Sequence, residues 1–335
     1  MTYSGKKLRE LYKTLAPSDR LLVLMKPDPD ALSSAWALKR ILTGRVQSCG
    51  ISHLGDIQRL ENRAMVRILK IPTERFDKVN LESYNRFAIV DGQPDQFAHI
   101  VLPQIDVVID HHPVVNAPQV PFADLRPKLG ATATIMTRYL QEAKLKIQRP
   151  LATALAFGIK TDTNSLTRSA AHQDVEAYAY LLPRTNMQAL RQIEYERISR
   201  SDLGLIARAI ANVQIRRKFL YVFLEGPVPP DSLVILADIF IGVENISVVA
   251  VGSTYRNRIV VIHRGRGARV DVGRIAREAF SEVGSAGGHK VAARAELRLS
   301  DLPEAVAAAK PEEMGAWVKK RILANLSARR KKKTG

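Results

Sequence analysis

The segment LLVLMKPDPDALSSAWALKRILTG, residues 21–44, joins two hydrophobic patterns through a short acidic loop. Its first part, LLVLM, is a short apolar run bounded by turn-forming residues, which is typical of a strand buried in a sheet. From Ala31 onward the apolar residues recur at helical spacing. The segment therefore predicts a strand followed directly by a helix, with two aspartates, Asp28 and Asp30, in the connection.

The same alternation continues along the first half of the chain. Further strands are predicted at 46–52, 87–91 and 106–110, and helical patterns at 55–70 and 131–143. Strands that alternate with helices form βαβ units, whose strands are mostly parallel. We therefore predict an α/β fold whose N-terminal part is a mostly parallel sheet flanked by helices.

The second half of the chain changes pattern twice. Helical patterns dominate from 150 to 211, and strand-like runs return after Asn212, mixed with helical stretches. This change predicts a second, smaller α/β domain. The predicted organisation is a first domain at 1–195, a helical linker at 196–211, the smaller domain at 212–327 and a basic tail at 328–335.

Composition places the chain among ordinary globular proteins. Its 335 residues are 46% hydrophobic, which suits two domains with buried cores. Because Cys49 is the single cysteine, an internal disulfide framework is excluded, and a reducing compartment fits. Residues 1–20 lack the apolar core of a signal peptide, and no apolar run reaches membrane-spanning length. These features predict a cytoplasmic protein with no membrane partner.

The charge balance is strongly basic. Fifty-one Lys and Arg against 33 Asp and Glu give a net charge of +18, which attracts polyanions such as nucleotides and nucleic acids. Part of the excess lies in the tail at 328–333, whose composition is also that of a solvated, disordered end. Aromatic residues are only 6% and no aromatic RNA-binding motif is present, so a short nucleotide substrate fits better than long, sequence-specific recognition. Contact with nucleic acid through the basic surface stays open.

Acidic residues and histidines follow several of the predicted elements. Asp28 and Asp30 follow the first strand, and an extended segment would direct residues two apart to one side. The others lie at two further strand ends and after one helical pattern: Asp91, Asp110, His111, His112 and Asp162. Taken singly, Asp30 could cap the next helix and the rest could be turn residues. Their joint occurrence instead predicts a site for Mn²⁺, Mg²⁺ or a similar cation.

These residues lie in motifs that resemble the DHH phosphoesterase family, named for the triplet Asp110-His111-His112. The resemblance is to the two-domain branch with RecJ-type exonucleases and NrnA-type oligoribonucleases. It extends over most of the chain, in the family's order. The motifs are PDPDA at 27–31, IVDGQP at 89–94, VIDHHPVVN at 108–116, GIKTDT at 158–163 and GSAGGHKVAA at 284–293.

The resemblance implies a metal-bearing N-terminal domain and a DHH-associated C-terminal domain that grips substrate. One metal would be held by Asp30, Asp91, His111 and Asp162. Asp91 would bridge to a second metal, with Asp28 and a histidine four residues before it. His112 would face a substrate phosphate, with a role in orienting its neighbours as the alternative, and Asp110 would orient the histidine pair.

The chain departs from the family pattern at the expected histidine, which is Leu24 here. Three explanations are open: one metal suffices, another residue such as His53 supplies a ligand, or hydrolysis has been lost while binding is retained. Lys26, a position where some relatives carry an acid, could supply positive charge to a phosphate or be a solvated loop residue. One or two Mn²⁺ or Mg²⁺ ions are therefore expected.

The C-terminal motif predicts a phosphate-binding turn. Gly287 and Gly288 allow close backbone approach to an anion, and His289 follows them. Arg264 matches the family's strand-borne arginine and would form a phosphate contact. Two glycines of the family pattern are replaced by Ala286 and Arg294, and the nearby Arg266 and Arg269 are less assignable.

The sequence thus predicts a metal-dependent phosphoesterase for short oligonucleotides or small nucleotides. The sequence does not distinguish among three possible substrates: RNA dinucleotides, linear products of cyclic dinucleotides, and adenosine bisphosphate. The alternative is a catalytically weakened nucleotide- or nucleic-acid-binding protein, favoured by Leu24 and the positive charge. A homodimer is left open.

Overall fold

The structure, a computed structural model, describes residues 2–97, 101, 104–114, 116–167, 170–267 and 270–331, with side chains described up to Leu326. The chain divides into two compact units, 1–197 and 198–335. Arg269 and residues 332–335 of the predicted basic tail lie outside the described residues. Each unit is a separate α/β structure, which confirms the predicted fold class.

The first unit alternates strands and helices as the sequence predicts. Its elements are α1 (Tyr3–Thr14), β1 (Arg20–Met25), α2 (Pro29–Leu42), β2 (Ser48–His53), α3 (Leu60–Leu69), β3 (Glu74–Arg75), β4 (Arg86–Val90), β5 (Val107–Asp110), β6 (Phe122–Leu125), α4 (Thr132–Glu142), α5 (Arg149–Asp162), α6 (His172–Leu181) and α7 (Met187–Tyr195). The short strands β3 and β6 were not predicted, because neither has a long apolar run.

In the described part of the first unit, six strands form one sheet in the order β3-β2-β1-β4-β5-β6, and every pairing is parallel. Strand alternation gives β1 two apolar faces: Val23 and Met25 lie in the main core, whereas Leu22 and Leu24 lie in a smaller cluster on the opposite face. The strand order reverses between β1 and β4. A crevice forms where successive connections leave toward opposite faces, at the carboxyl ends of the strands.

The second unit contains a mixed sheet. Its elements are α8 (Arg200–Ala211), β7 (Gln214–Arg216), β8 (Phe219–Pro227), α9 (Pro230–Phe240), β9 (Val248–Tyr255), β10 (Arg258–Gly265), α10 (Val272–Phe280), β11 (Ser285–Gly288), β12 (Ala292–Arg298), α11 (Glu304–Ala307) and α12 (Pro311–Lys331). Among the described residues the strand order is β11-β12-β10-β9-β8-β7, with β8 and β9 parallel and the other pairs antiparallel. Two apolar clusters cover the two faces of this sheet. Helix α8, predicted as part of a linker, belongs to this unit.

Among the residues described, no helix has both the length and the apolar character needed to cross a membrane.

Candidate metal centre

The candidate site lies where the sheet of the first unit reverses its strand order. Asp28 and Asp30 follow β1, Asp91 follows the neighbouring β4, and Asp110 ends β5. Because these strands are parallel, their carboxyl ends meet at one edge of the sheet. Asp162, the last residue of α5, reaches the same place from a helix.

The structure brings four of the predicted ligands together. Asp30, Asp91, His111 and Asp162 each offer one ligand atom, and these atoms lie within 4.8 Å of one another. The Nε2 atom of His111 lies 3.0 Å from Asp162 Oδ2, 3.5 Å from Asp91 Oδ1 and 3.9 Å from Asp30 Oδ2. Asp91 and His111 also form a second such group with His112. Three carboxylates and an imidazole suit a divalent cation such as Mn²⁺.

The orientation of His111 supports a cation at this point. Its Nδ1 lies 3.1 Å from the carbonyl oxygen of Leu129, so Nδ1 donates a hydrogen and Nε2 faces the carboxylates. Nε2 is buried, and of the three carboxylate oxygens around it Asp162 Oδ2 is the nearest. Burial alone would lower the pKa of His111, but the Asp162 carboxylate and the charge of Asp91 raise it to about 9. Without a cation, a proton therefore occupies the position that a metal would take.

The aspartates are held in an environment that disfavours their charges. Burial, followed by repulsion from Asp91 and Asp162, raises the pKa of Asp30 well above its ordinary value. Burial also raises the pKa of Asp91. The pKa of Asp28 is raised for the same reasons as that of Asp30. A divalent cation would relieve this repulsion, so the residues present fit a bound metal ion.

Asp28 and Asp30 have different roles, which corrects one sequence expectation. Asp28 is the N-cap of α2 and accepts a hydrogen bond from the Ala31 N–H at 2.9 Å, so the idea that Asp30 caps this helix is wrong. Asp30 already lies in the helix, because Pro29 occupies its first turn and favours a helical start. The connection is therefore not extended throughout, but Asp28 and Asp30 both lie close enough to Asp91 and Asp162 to be repelled by their charges. Asp28 lies outside both groups of clustered ligands in the described chain, and its metal-binding role stays a prediction.

A segment that the sequence reasoning missed, residues 129–134, positions three of the four groups. The N–H groups of Thr132 and Ala133, at the start of α4, donate to Asp30 at 2.6 and 2.7 Å. The Thr132 hydroxyl donates to Asp91 Oδ1 at 2.9 Å, and Leu129 holds His111 as described above. Thr132 and Ala133 were predicted to be helical, but nothing in their residue types indicates these contacts.

The fully buried Asp174 anchors that segment. Its carboxylate accepts hydrogen bonds from the Gly130 N–H at 2.8 Å and from the Thr134 hydroxyl at 2.6 Å. It also accepts one from the Ala171 N–H at 2.7 Å, at the start of its own helix α6. Asp174 therefore supports the residues that position the ligands. This role could not be predicted from local sequence, because Asp174 is 40 and 44 residues from its partners Thr134 and Gly130.

The three residues of the DHH triplet make different contacts. Asp110 is buried and accepts hydrogen bonds from the His111 N–H at 2.9 Å, from His112 Nδ1 at 2.8 Å and from Gln93 Nε2 at 2.8 Å. These contacts match an orienting role for Asp110. The His112 side chain is 42% exposed, and its hydrogen bond with Asp110 raises its pKa. Because Nδ1 is engaged with Asp110, Nε2 is the nitrogen available to an anion.

Among the described residues, Leu24 is surrounded by apolar side chains and not by potential metal ligands. Leu24 is fully buried in the smaller apolar cluster with Leu22 and Ile89. The Nδ1 atom of His53 lies 2.9 Å from the Gly55 carbonyl oxygen, and His53 belongs to neither group of clustered ligands in the described part of the chain. Lys26 is exposed, and its ammonium group lies 5.8 Å from the centre of the Phe97 ring.

In the second unit, the predicted phosphate-binding residues lie at one end of the sheet. Gly288 has a φ of 137°, and a Cβ there would lie 2.5 Å from the Ala292 carbonyl oxygen, so this position requires glycine. Gly287 and His289 flank it, and His289 is exposed. Arg264 pairs with Ala292 across β10 and β12, which places it at the same end. Its Nε donates to Asp238 at 2.5 Å, so a phosphate would compete with an existing ion pair.

Comparison with known proteins identifies both units. Residues 21–159 match the model described as the DHH family, N-terminal domain, and residues 216–312 match the DHHA1 domain. The chain is 33% identical over 280 residues to the uncharacterized protein MJ1633 of Methanocaldococcus jannaschii, covering 83% of this chain and 58% of the length of that relative. It is 25% identical over 214 residues to the probable manganese-dependent inorganic pyrophosphatase of Deinococcus radiodurans, covering 62% of this chain and 66% of that protein.

A solved structure, that of an exopolyphosphatase-related protein from Bacteroides fragilis, resembles the chain with a TM-score of 0.71 at 15% identity. The match covers 98% of this chain and 100% of that one, which shows a common fold. With both domain models matched and the DHH triplet placed in a cluster of carboxylates, this chain belongs to the DHH family.

Proposed function

We propose that this protein is a metal-dependent phosphoesterase that hydrolyses short oligonucleotides or small nucleotides. The observation that carries the proposal is the convergence of Asp30, Asp91, His111 and Asp162, with the buried Nε2 of His111 facing three carboxylates. The relative named as a manganese-dependent pyrophosphatase supports Mn²⁺ as the cation, with Mg²⁺ as the alternative.

The four clustered groups would hold the cation. When bound, it supplies Lewis acidity and offsets negative charge on the transferring phosphoryl group. Leu129 and Thr132 hold His111 and Asp91 in place, so the ligand atoms are preorganised. His112, whose pKa is raised by its hydrogen bond with Asp110, would donate a hydrogen bond to a nonbridging phosphate oxygen.

The basic composition supports a nucleotide or oligonucleotide rather than a neutral ester as substrate. A net charge of +18 attracts polyanions. In the second unit, Arg264, Gly287, Gly288 and His289 would contact further phosphates, with Arg264 exchanging its Asp238 partner for substrate. A cytoplasmic location is part of the same proposal.

The test is hydrolysis of a panel containing an RNA dinucleotide, a linear product of a cyclic dinucleotide, adenosine bisphosphate and inorganic pyrophosphate. Mn²⁺ content is measured on the same preparation. Asp91→Asn should abolish Mn²⁺-dependent hydrolysis, because Asp91 belongs to both ligand groups. The control is Asp56→Asn, since Asp56 is exposed and pairs with Arg75 away from the cluster. The proposal fails if the metal-loaded parent protein hydrolyses none of the phosphate esters.

A catalytically weakened binding protein is the second candidate, because of Leu24. A fully buried leucine cannot ligate a metal, and Asp28 lies outside both groups of clustered ligands in the described chain. If one cation binds and nucleotides bind without being hydrolysed, this second function is the correct one.

A further inference from the structure

Lys26 follows β1 at the edge of the sheet where the metal centre lies. In the parallel pairing of β1 with β4, Leu24 is opposite Ile89. Two residues further along these two segments come Lys26 and Asp91. Because paired parallel strands advance together, Lys26 leaves the sheet beside Asp91, which is one of the clustered ligands.

The side chain of Lys26 lies on the face of β1 that carries Leu24. Its ammonium group is 5.8 Å from the centre of the Phe97 ring, which is within the range of a cation–π interaction. Phe97 belongs to the same apolar cluster as Leu24. A Cβ on Gly92, the residue after Asp91, would lie 3.0 Å from this ring. The ring therefore holds the ammonium group beside the turn that carries Asp91.

The connection that carries Lys26 is rigid. Pro27 and Pro29 fix two of its φ angles. The Asp28 N–H donates to the Lys26 carbonyl oxygen at 2.9 Å, and the side-chain amide of the buried Asn62 donates to the Pro27 carbonyl oxygen at 3.0 Å. The backbone of Lys26 is thus held in place, and only its side chain has to move to reach a ligand.

The ammonium group of Lys26 is available to an anion. Lys26 is exposed, and among the described residues its ammonium group contacts the Phe97 ring and not a carboxylate. Arg264, by contrast, is engaged with Asp238. A cation–π contact at an exposed site is weak. A phosphate oxygen can therefore replace the ring as a partner of Lys26 without leaving a carboxylate unpaired.

A metal centre with one cation is short of positive charge. Its three clustered carboxylates bring three negative charges, and one divalent cation offsets only two of them. Asp28 adds a further negative charge when it is ionised, whereas the charges of Asp110 and a protonated His112 cancel. A phosphate group would therefore enter a centre that is still negative, and its binding requires another cationic group nearby.

We propose that Lys26 binds a nonbridging phosphate oxygen of the substrate and supplies the positive charge that a single metal ion leaves missing. An ammonium group donates up to three hydrogen bonds and acts on anionic oxygens as a point charge. The role of Lys26 is to orient the phosphate and to offset the charge that develops on it. This inference rests on the proposed function for the phosphate ester as ligand.

The test is isothermal titration calorimetry of the Mn²⁺-loaded protein with inorganic phosphate, whose binding requires no hydrolysis. Lys26→Gln removes the charge and keeps a polar side chain, whereas Lys26→Arg keeps the charge. The control is Lys146→Gln. Lys146 is exposed and precedes α5, whose 14 residues end at Asp162, about 21 Å away along the helix. Because both lysines are exposed, the variants should fold, which thermal unfolding checks.

Lys26→Gln should bind phosphate about tenfold more weakly than the parent, near the lower end expected for a hydrogen bond to a charged group because Lys26 is exposed. Lys26→Arg should lose less affinity, and Lys146→Gln should equal the parent. The Mn²⁺ affinity of Lys26→Gln should equal or exceed that of the parent, because a neighbouring positive charge is removed.

Four outcomes would overturn the assignment. Lys26→Gln could keep the phosphate affinity of the parent, or Lys146→Gln could lose as much affinity as Lys26→Gln. A loss of Mn²⁺ affinity in Lys26→Gln would show that Lys26 acts on the metal ligands instead of on phosphate. Two Mn²⁺ ions bound per parent chain would show that no positive charge is missing.

The proposed function and the assignment of Lys26 can fail separately. A parent protein that binds phosphate through Lys26 but hydrolyses none of the phosphate esters would defeat the proposed function and leave the assignment intact. A parent that hydrolyses an ester, with a Lys26→Gln variant that keeps its kcat/KM and its phosphate affinity, would defeat the assignment and leave the proposed function intact.

Discussion

Replacing Thr132 by valine should weaken Mn²⁺ binding without disrupting the fold. The side chains have nearly the same shape, and the Thr132 N–H that donates to Asp30 is retained. What is lost is the 2.9 Å hydrogen bond from the buried hydroxyl to Asp91 Oδ1. A hydrogen bond to a charged acceptor contributes about 1.5–3 kcal/mol. Its removal should raise the pKa of Asp91 further and allow the carboxylate to turn away.

The expected loss of Mn²⁺ affinity is about 10–100-fold, the usual effect of removing a group that orients a ligand. That range corresponds to about 1.4–2.8 kcal/mol, which agrees with the hydrogen-bond estimate. The assay is isothermal titration calorimetry of chelator-stripped protein with Mn²⁺. Thermal unfolding in chelator measures stability separately.

Thr137→Val is the matched control for this experiment. Thr137 is equally buried in α4, and its hydroxyl donates to the Ala133 carbonyl oxygen at 2.7 Å instead of to a ligand group. It should lose a little stability and keep parent Mn²⁺ affinity. Parent-like affinity in Thr132→Val, or equal losses in the two variants, would refute the view that Thr132 positions Asp91 for a metal.

Four further predictions follow from the same structure. Asp162→Asn should lower Mn²⁺ occupancy while the circular dichroism spectrum stays unchanged; full occupancy would exclude Asp162 as a ligand. Because neighbouring carboxylates raise the pKa of His111 to about 9, Mn²⁺ binding near neutral pH should release about one proton, and the affinity should increase as the pH rises toward 9. Calorimetry in two buffers of different ionisation enthalpy would measure the proton release. Leu24→His should cost about 2–5 kcal/mol of stability in its apolar cluster and raise Mn²⁺ stoichiometry from about one toward about two; a stable variant with unchanged metal content would show that Leu24 does not limit the second site. Burial lowers the pKa of His263 to about 4, so on acidification the unfolded chain takes up a proton at a higher pH than the folded protein does. The free energy of unfolding should therefore fall by about 1.4 kcal/mol for each unit that the pH is lowered between 6.5 and 4. Urea unfolding of His263→Leu should lack this loss, and an identical pH dependence in the two proteins would contradict the prediction.

The alternation of apolar runs and helical patterns was enough to predict the fold class and the main strands of both units. It succeeded because a strand buried in a parallel sheet must be apolar along its length, as Leu21–Met25 is. The grouping of Asp91 and the DHH triplet at strand ends followed from the same pattern. The short strands β3 and β6 were not predicted, because they are strands only through their pairing with β2 and β5.

Local sequence was less informative about what each aspartate does. Asp28 and Asp30 are equivalent in residue type, yet one caps its own helix and the other binds the start of α4, more than 100 residues later. Asp174 has no local feature that marks it as a support for residues 129–134. Such roles depend on which backbone N–H groups the fold brings near a buried carboxylate.

The sequence by itself thus determined the α/β architecture and the basic charge, because these depend on residue type and on periodicity along the chain. The set of four clustered ligands was implied by the resemblance of its motifs to the DHH family. Tertiary structure alone decided that Nε2 of His111 faces three carboxylates, that Leu24 points into an apolar cluster and that the Lys26 ammonium group lies near the Phe97 ring. The clustered ligands come from positions as far apart as Asp30 and Asp162. Periodicity describes a single element, whereas the packing of elements decides which side chains share a space.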